Sequence, residues 1–223
     1  MSKEVLVVAP HPDDETLGCG GTLLKHVQRG DKIHWLIFTA ISEDNGYSRA
    51  QIDKRNCEIT AVAQAYGFSS VQQLQLPTTR LDTLPLGDMI AQASQIMNQI
   101  RPEILYLPFP GDVHSDHRIV FEVMMACTKQ FRYPWVRRVL AYETLSETDF
   151  GINPIIDHFR SNVFIDISEF LERKIEIMNI YQGEFKEFPF PRSEQAVRAL
   201  AQVRGAAANC RACESFVLLK EID

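Results

Sequence analysis

Short apolar runs alternate with amphipathic stretches along most of the chain. Runs such as VLVV at 5–8 and WLIF at 35–38 are typical of strands that are buried on both faces. Longer stretches with apolar residues at helical spacing lie between these runs. The pattern predicts strands at 4–9, 32–39, 71–76, 104–107, 136–142, 162–167 and 215–220, and helices at 16–28, 48–66, 87–100, 116–130, 168–181 and 193–204. The stretch 143–160 shows no clear period.

The regular alternation of strands and helices predicts an α/β fold. Helices that connect successive parallel strands pack on both faces of the sheet, which gives a three-layer α/β/α sandwich with a mostly parallel sheet. The chain has 223 residues, enough for one substantial core, and we expect a single domain over 1–223. The glycines at 18, 20 and 21 do not form a dinucleotide fingerprint, because His-Pro-Asp-Asp-Glu occupies the turn that directly follows the strand.

The turn after the first predicted strand is dense in groups that bind metals or transfer protons. His11, Asp13, Asp14 and Glu15 stand within five positions, between and after two prolines that disfavour helical backbone. We therefore expect a rigid loop in which His11 and Asp14 converge on one ion. Successive side chains in an extended segment point apart, so Asp13 is left free beside that ion. We expect Glu15 to brace the loop or cap the first helix.

A second group of such residues follows the predicted strand at 104–107. It reads His114-Ser115-Asp116-His117, and loops after parallel strands meet at one edge of the sheet. A histidine alone in a loop is usually solvated. The two groups together instead predict a metal site with three nitrogen or oxygen ligands, the set that catalytic zinc uses.

These two motifs resemble those of the LmbE-like, or PIG-L, family of zinc-dependent N-deacetylases, although here Pro10 separates Ala9 from the histidine of the first motif. The resemblance implies a Rossmann-like sandwich and Zn²⁺ held by His11, Asp14 and His117. Iron or cobalt would also suit this donor set.

The resemblance also implies the roles of the remaining groups. Asp13 is expected to act as general base, and a protonated His114 to stabilise the oxyanion and donate to the leaving amine. Asp112 or Asp116 is expected to hold the His114 ring and raise its pKa, and the sequence does not decide between them.

The implied reaction is hydrolysis of the acetamide of an N-acetylated amino sugar, such as an N-acetylglucosamine derivative, or of its glycoconjugate. Two alternatives stay open: a zinc amidase for another small N-acyl substrate, and a metal-binding protein without turnover. The expected substrate contacts are Arg55, Glu43, Asn45, Tyr142 and Glu143. The alternative for Arg55 is a surface ion pair with Glu58, and the alternative for Tyr142 is ordinary packing at the end of a strand.

Charge and composition narrow the expected partners. The net charge of −6 argues against non-specific binding to nucleic acid, and no apolar run reaches the roughly 18 residues of a membrane span. Five scattered cysteines indicate a reducing compartment, and we expect a cytoplasmic protein. Cys210 and Cys213 have zinc-like spacing but lack a second pair, so we expect no metal there. The family resemblance implies a homo-oligomer, a trimer or hexamer.

Overall fold

The computed structural model describes residues 2–151 and 158–223, and its strands and helices follow the predicted alternation. Of the stretch without a clear period, residues 152–157 lie outside the described residues. The strands are β1 Glu4–Ala9, β2 Lys32–Ala40, β3 Ser70–Pro77, β4 Ile104–Pro108, β5 Arg138–Tyr142, β6 Val163–Asp166 and β7 Cys213–Glu221. The helices are α1 Asp14–Gln28, α2 Arg49–Tyr66, α3 Leu86–Ile100, α4 Ser115–Ala126, α5 Leu171–Met178 and α6 Glu194–Ala208. Three short 3₁₀ turns lie at Glu43–Asn45, Leu81–Thr83 and Thr148–Phe150.

The strands form one seven-stranded sheet in the order β3-β2-β1-β4-β5-β7-β6. Strands β1 to β5 are parallel, and β7 pairs antiparallel with both β5 and β6. Val5 of β1 pairs with Ile33 on one side and Ile104 on the other. The loops after β1 and β4 therefore leave the sheet side by side, at the position where the strand order reverses.

Both faces of the sheet are buried, which confirms the three-layer α/β sandwich. Val5 and Val7 pack in one apolar cluster with residues of α1, α2, α5 and α6. Leu6 and Val8 point to the other face and pack with residues of α3 and α4. Successive side chains of β1 therefore pack alternately in two apolar cores, as expected for a strand without a polar face.

The first helix begins two residues earlier than the sequence indicated. Its N-cap is Asp13, whose carbonyl accepts the N–H groups of Thr16 and Leu17 at 3.0 and 2.9 Å. The two prolines precede the helix and so do not prevent it. Asp14 and Glu15 consequently lie in the first turn, at the end of α1 where the helix dipole favours negative charge.

Two helices are shorter than the sequence indicated. Helix α5 covers Leu171–Met178 rather than 168–181, and α4 ends at Ala126 rather than at 130. In the part of the chain that the structure describes, no helix has the length and apolar content needed to cross a bilayer.

The contact between α1 and β5 is close enough to require a glycine. The hydroxyl of Tyr142 donates to the Val8 carbonyl at 2.8 Å, and its ring lies against Gly18. A Cβ on Gly18 would lie 2.2 Å from Cδ2 of Tyr142, a distance that real contacts do not allow. The Tyr142 side chain is fully buried in this packing, so the expectation that it contacts substrate is wrong.

We predict that Gly18→Ala lowers the free energy of unfolding by about 2 kcal/mol, because the added methyl group overpacks the contact with Tyr142. Gly87→Ala is the matched control, since a Cβ at this exposed position in α3 meets nothing within 4 Å. We expect it to be neutral or to stabilise by about 0.5 kcal/mol. Denaturant unfolding measures both values, and equal stabilities for the two variants would contradict the packing argument.

Candidate active site

The two sequence motifs lie side by side at the carboxyl edge of the sheet. His11 and Asp14 come from the turn after β1 and the start of α1, and His117 comes from the first turn of α4. Donor atoms of these three residues all lie within 4.8 Å of one another. The parallel pairing of β1 with β4 brings together segments that are separated by about a hundred positions.

Asp14 is the central group of this cluster. It is 3 % exposed, and its Oδ2 accepts the N–H of His11 at 2.9 Å. The same oxygen lies 3.4 Å from His11 Nδ1 and 3.3 Å from His117 Nε2. Burial opposes ionisation, but the charges and hydrogen bonds of His117 and His11 outweigh it and hold the pKa of Asp14 well below its usual range.

Each of these two histidines has a carboxylate behind it. Asp112 Oδ2 lies 2.8 Å from His117 Nδ1, and Asp116 Oδ2 lies 3.0 Å from His11 Nε2. The expectation that the carboxylate of Asp112 or Asp116 holds the ring of His114 is therefore wrong, because both carboxylates contact the other histidines. Burial favours a neutral His11 ring, yet hydrogen bonds to Asp116 and Asp14 raise the pKa of His11 to about 9.

The donor set of His11, Asp14 and His117 fits a divalent metal ion. Asp112 occupies Nδ1 of His117, whereas the fully buried Nε2 faces Asp14 Oδ2 at 3.3 Å and makes no well-aligned hydrogen bond among the described residues. A carboxylate on the far nitrogen is the usual arrangement for a metal-binding histidine. Ligation requires neutral imidazoles, so a bound cation would take the place of any proton on the two ring nitrogens that face Asp14, while Asp112 and Asp116 keep accepting the protons on the far nitrogens.

A second group, formed by His11, His114 and Asp116, also has its donor atoms within 4.8 Å of one another. It fits a metal less well, because Asp116 already accepts the N–H groups of Thr79 at 2.7 Å and Leu81 at 3.2 Å as well as contacting His11.

His114 lies at the N-cap of α4, with its ring 4.5 Å from that of His11 between centroids. Its Nδ1 accepts the N–H of Asp116 at 3.1 Å, so only Nε2 is left to carry a proton. Burial and the neighbouring charges of His11 and His117 lower the pKa of His114 to about 4. The hydrogen bond at Nδ1 and the lowered pKa favour a neutral ring over the protonated His114 that the sequence analysis expected, and the role of His114 in catalysis stays a prediction.

Asp13 has an unusual backbone and one ionic partner. It is the N-cap of α1 with φ 135° and ψ −26°, and its side chain makes no capping hydrogen bond. Its Oδ2 instead lies 3.0 Å from Nη1 of Arg192. Burial and the charge of Asp14 raise the pKa of Asp13 well above its usual range, while Arg192 opposes this shift.

Glu15 braces the turn. Its carboxylate accepts the N–H of Asp13 at 3.1 Å and the hydroxyls of Thr16 at 2.5 Å and Tyr181 at 2.7 Å. Burial raises the pKa of Glu15 to about 7 against the effect of these hydrogen bonds. The side chain is fully buried, so its contacts are with the protein.

A cavity of about 520 Å³ opens over the cluster. The sequence analysis expected Glu43 and Asn45 to contact substrate, but neither lines this cavity, whereas Ile41 and Tyr47 from the same segment do. Polar residues of its wall come from both motifs, from α2, from the loop after β5 and from the segment between α5 and α6. They include His11, Asp13, Asp14, Gln51, Lys54, Arg55, Glu58, His114, Glu147, Glu184 and Arg192.

Arg55 lies in the wall of the cavity and also makes ion pairs. Nη1 donates to the Pro12 carbonyl at 3.1 Å, Nη2 lies 2.6 Å from Glu184, and Nε lies 3.3 Å from Glu58. Sequence reasoning missed Glu184 and Arg192, which stand in an aromatic and proline-rich segment without a recognisable motif. Their only signal is charge within that segment.

Glu143 lies outside the cavity, so the expectation that it contacts substrate is wrong. Its carboxylate accepts from Nε of Arg204 at 2.8 Å and from Oγ of Ser215 at 3.0 Å. These contacts join the end of β5 to α6 and β7.

Comparison with known proteins places this site in a family. The family model described as PIG-L, GlcNAc-PI de-N-acetylase, matches residues 6–128, which include both motifs. Diacetylchitobiose deacetylase of Thermococcus kodakarensis is 25 % identical over 96 % of this chain and 82 % of its own length.

Two solved structures show the same fold at lower identity. One is N,N'-diacetylchitobiose deacetylase from Pyrococcus horikoshii, with a TM-score of 0.78, 19 % identity and coverage of 98 % of this chain and 84 % of the other. The second is GalB, the 4-carboxy-2-hydroxymuconate hydratase of Pseudomonas putida KT2440, with a TM-score of 0.78, 17 % identity and coverage of 99 % and 98 %. The match over both motifs, together with their geometry, shows that the chain belongs to the PIG-L family, whose model is described as GlcNAc-PI de-N-acetylase.

Proposed function

We propose that this protein is a metal-dependent N-deacetylase that hydrolyses the acetamide of an N-acetylated amino sugar or its glycoconjugate, releasing acetate and a free amine. One observation carries the proposal: a metal-type donor set, two members of which line the cavity, lies beside a carboxylate and an imidazole that are not part of it but line the same cavity. Membership of the PIG-L family and the deacetylase relative from Thermococcus support the same reaction.

We propose zinc as the ion and His11, Asp14 and His117 as its protein ligands. Two imidazoles and one carboxylate, with room for a water in the cavity, are the ligands that catalytic zinc prefers. Iron and cobalt accept the same donors. When bound, such an ion would polarise the acetamide carbonyl and lower the pKa of a water to about 7.

The two remaining polar groups take the proton-transfer roles. Asp13 accepts the proton of the attacking water, a role suited to a carboxylate that lines the cavity beside the donor set without belonging to it. His114 is a neutral ring whose Nδ1 is occupied, so it offers an Nε2 proton to the carbonyl oxygen as negative charge develops there.

The cavity favours a small, hydroxyl-rich substrate. Its volume of about 520 Å³ lies in the range of sites for small molecules. Its walls carry amide, guanidinium and carboxylate groups, including Gln51, Arg55 and Glu184, which are suited to hydrogen-bonding sugar hydroxyls. We therefore propose an N-acetylglucosamine derivative as the substrate class, with Arg55 as a contact.

Other expectations stay predictions. These are the single domain over 1–223, the homo-oligomer and the cytoplasmic location. The five cysteines are all unpaired.

We predict that His117→Ala removes the bound metal, because it takes away the buried ligand nitrogen that faces Asp14. Asp112→Asn keeps a hydrogen-bonding group on the far side of that ring but removes its charge. It should weaken zinc affinity by about tenfold to a hundredfold. Metal content by elemental analysis and competition with a chromophoric chelator measure the two effects.

Asp82→Asn is the control for these variants, since the Asp82 side chain is exposed and belongs to neither metal-type donor group. It should bind zinc as the wild type does. Full metal occupancy in His117→Ala protein would contradict the proposed ligand set.

We predict that the wild-type protein releases free amine from N-acetylglucosamine, diacetylchitobiose or an N-acetylglucosaminyl conjugate. Chelation should abolish the release and added zinc should restore it. Asp13→Asn should lower kcat by about 10²- to 10⁴-fold while metal content stays unchanged, because only proton transfer is lost. Amine release under saturating substrate measures kcat, and elemental analysis measures the metal.

Asp44→Asn, at an exposed position, is the matched control and should leave turnover unchanged. Near wild-type kcat in Asp13→Asn protein would remove Asp13 from this role. Turnover of N-acyl amino acids alone would favour the small-amide alternative. A zinc-loaded protein that is inactive on the whole panel would favour a binding protein.

A further inference from the structure

The Asp13 carboxylate accepts a hydrogen bond from Arg192, a residue that has no role in the reaction proposed above. The side chain is buried and does not cap α1, although an aspartate at the N-cap commonly accepts a backbone N–H of the first turn. Among residues 2–151 and 158–223, Arg192 is the only side chain that donates a hydrogen bond to this carboxylate, at 3.0 Å. The orientation of Asp13 thus depends on a residue 179 positions further along the chain.

Arg192 belongs to the loop of residues 179–193, which connects α5 to α6. The next residue, Ser193, is the N-cap of α6, and its hydroxyl accepts the N–H of Ala196 at 3.2 Å. The backbone of Arg192 is therefore anchored at the start of a fifteen-residue helix. Loop residues further upstream also contact α2, since the N–H of Gln182 donates to Glu58 at 3.1 Å.

The guanidinium of Arg192 is itself held in place. Glu184 Oε2 lies 3.3 Å from Nη1 of Arg192, and Glu184 Oε1 lies 2.6 Å from Nη2 of Arg55. Arg55 donates in turn to the carbonyl of Pro12, the residue before Asp13. These contacts form a closed ring. It runs from the Asp13 carboxylate through Arg192, Glu184 and Arg55 to the carbonyl of Pro12, which belongs to the peptide bond of Asp13.

The ring has two consequences for Asp13. Arg192 and Asp13 have side chains that are 24 % and 5 % exposed, so solvent screens their attraction less than it screens a surface pair. The backbone of Asp13 has a positive φ, which an aspartate adopts only where surrounding contacts hold it. The ring supplies contacts on both the side chain and the preceding carbonyl.

We propose that Arg192 is a positioning residue for the reaction, holding the Asp13 carboxylate in the orientation in which it accepts the proton of the attacking water. This inference rests on the proposed function. Arg192 acts through Asp13 and is not itself the base. The other role open to it is contact with substrate, since its Nε is buried and has no hydrogen-bond partner among the described residues.

The test compares Arg192→Gln and Arg192→Lys with Arg198→Gln. Arg198 is the control because its ion pairs, to Glu172 and Glu194, lie on the surface of α5 and α6. Arg192→Gln should lower kcat by about tenfold to a hundredfold, the cost of a misplaced catalytic group, with KM changed less than about threefold. Arg192→Lys should recover part of kcat, while metal content is unchanged in all three.

A double mutant separates positioning from substrate contact. If Arg192 acts through Asp13, Arg192→Gln costs no further activity in Asp13→Asn protein, because coupled residues are not additive. Additive losses, or a loss carried by KM, would assign Arg192 to substrate binding and overturn the proposal. Wild-type kcat in Arg192→Gln protein would also overturn it.

A crystal structure of zinc-loaded Arg192→Gln protein decides the same point without turnover. We expect a displaced or disordered Asp13 carboxylate, with His11, Asp14 and His117 unmoved. An unchanged Asp13 would overturn the proposal even if the protein deacetylates sugars. Inactivity of the wild type on the whole substrate panel would instead overturn the proposed function, and this structure would still report on Arg192.

Discussion

A buried carboxylate that needs positive charge organises this protein. Asp14 lies at the start of α1 with almost no exposure, and burial of an ionised carboxylate is costly unless charges and hydrogen bonds compensate it. Two imidazoles, a backbone N–H and the helix N-terminus supply that compensation. Asp112 and Asp116 add more negative charge directly behind the imidazoles. A cluster with this balance is suited to hold a cation.

The sheet brings these groups together and keeps the carboxylate of Glu143 apart from them. Because β1 lies between β2 and β4, the turns after β1 and β4 meet at the reversal of strand order. The antiparallel strand β7 and helix α6 engage Glu143 through Ser215 and Arg204. Glu143 follows a parallel strand, as the metal-type residues do, yet its carboxylate is used to join elements of the fold.

The fold alone does not determine the reaction. A hydratase from Pseudomonas putida has the same architecture over almost the whole chain, as does a deacetylase from Pyrococcus horikoshii. The argument for deacetylation therefore depends on particular side chains and on family membership. His11, Asp14 and His117 form the donor set, and Asp13 and His114 are the groups beside it.

The sequence by itself determined the strand and helix alternation, the three-layer architecture and the two segments that form the site. These follow from local patterns: apolar runs such as 5–8 define strands that are buried on both faces, and His-Pro-Asp-Asp-Glu stands directly after one of them. Tertiary structure alone decided which partner each polar group has. The carboxylates of Asp112 and Asp116 contact His117 and His11 rather than His114, and Arg192 contacts Asp13 from 179 positions further along the chain. Hydrogen bonds and ion pairs depend on distances of a few ångströms between segments, and no local pattern in the chain encodes those distances.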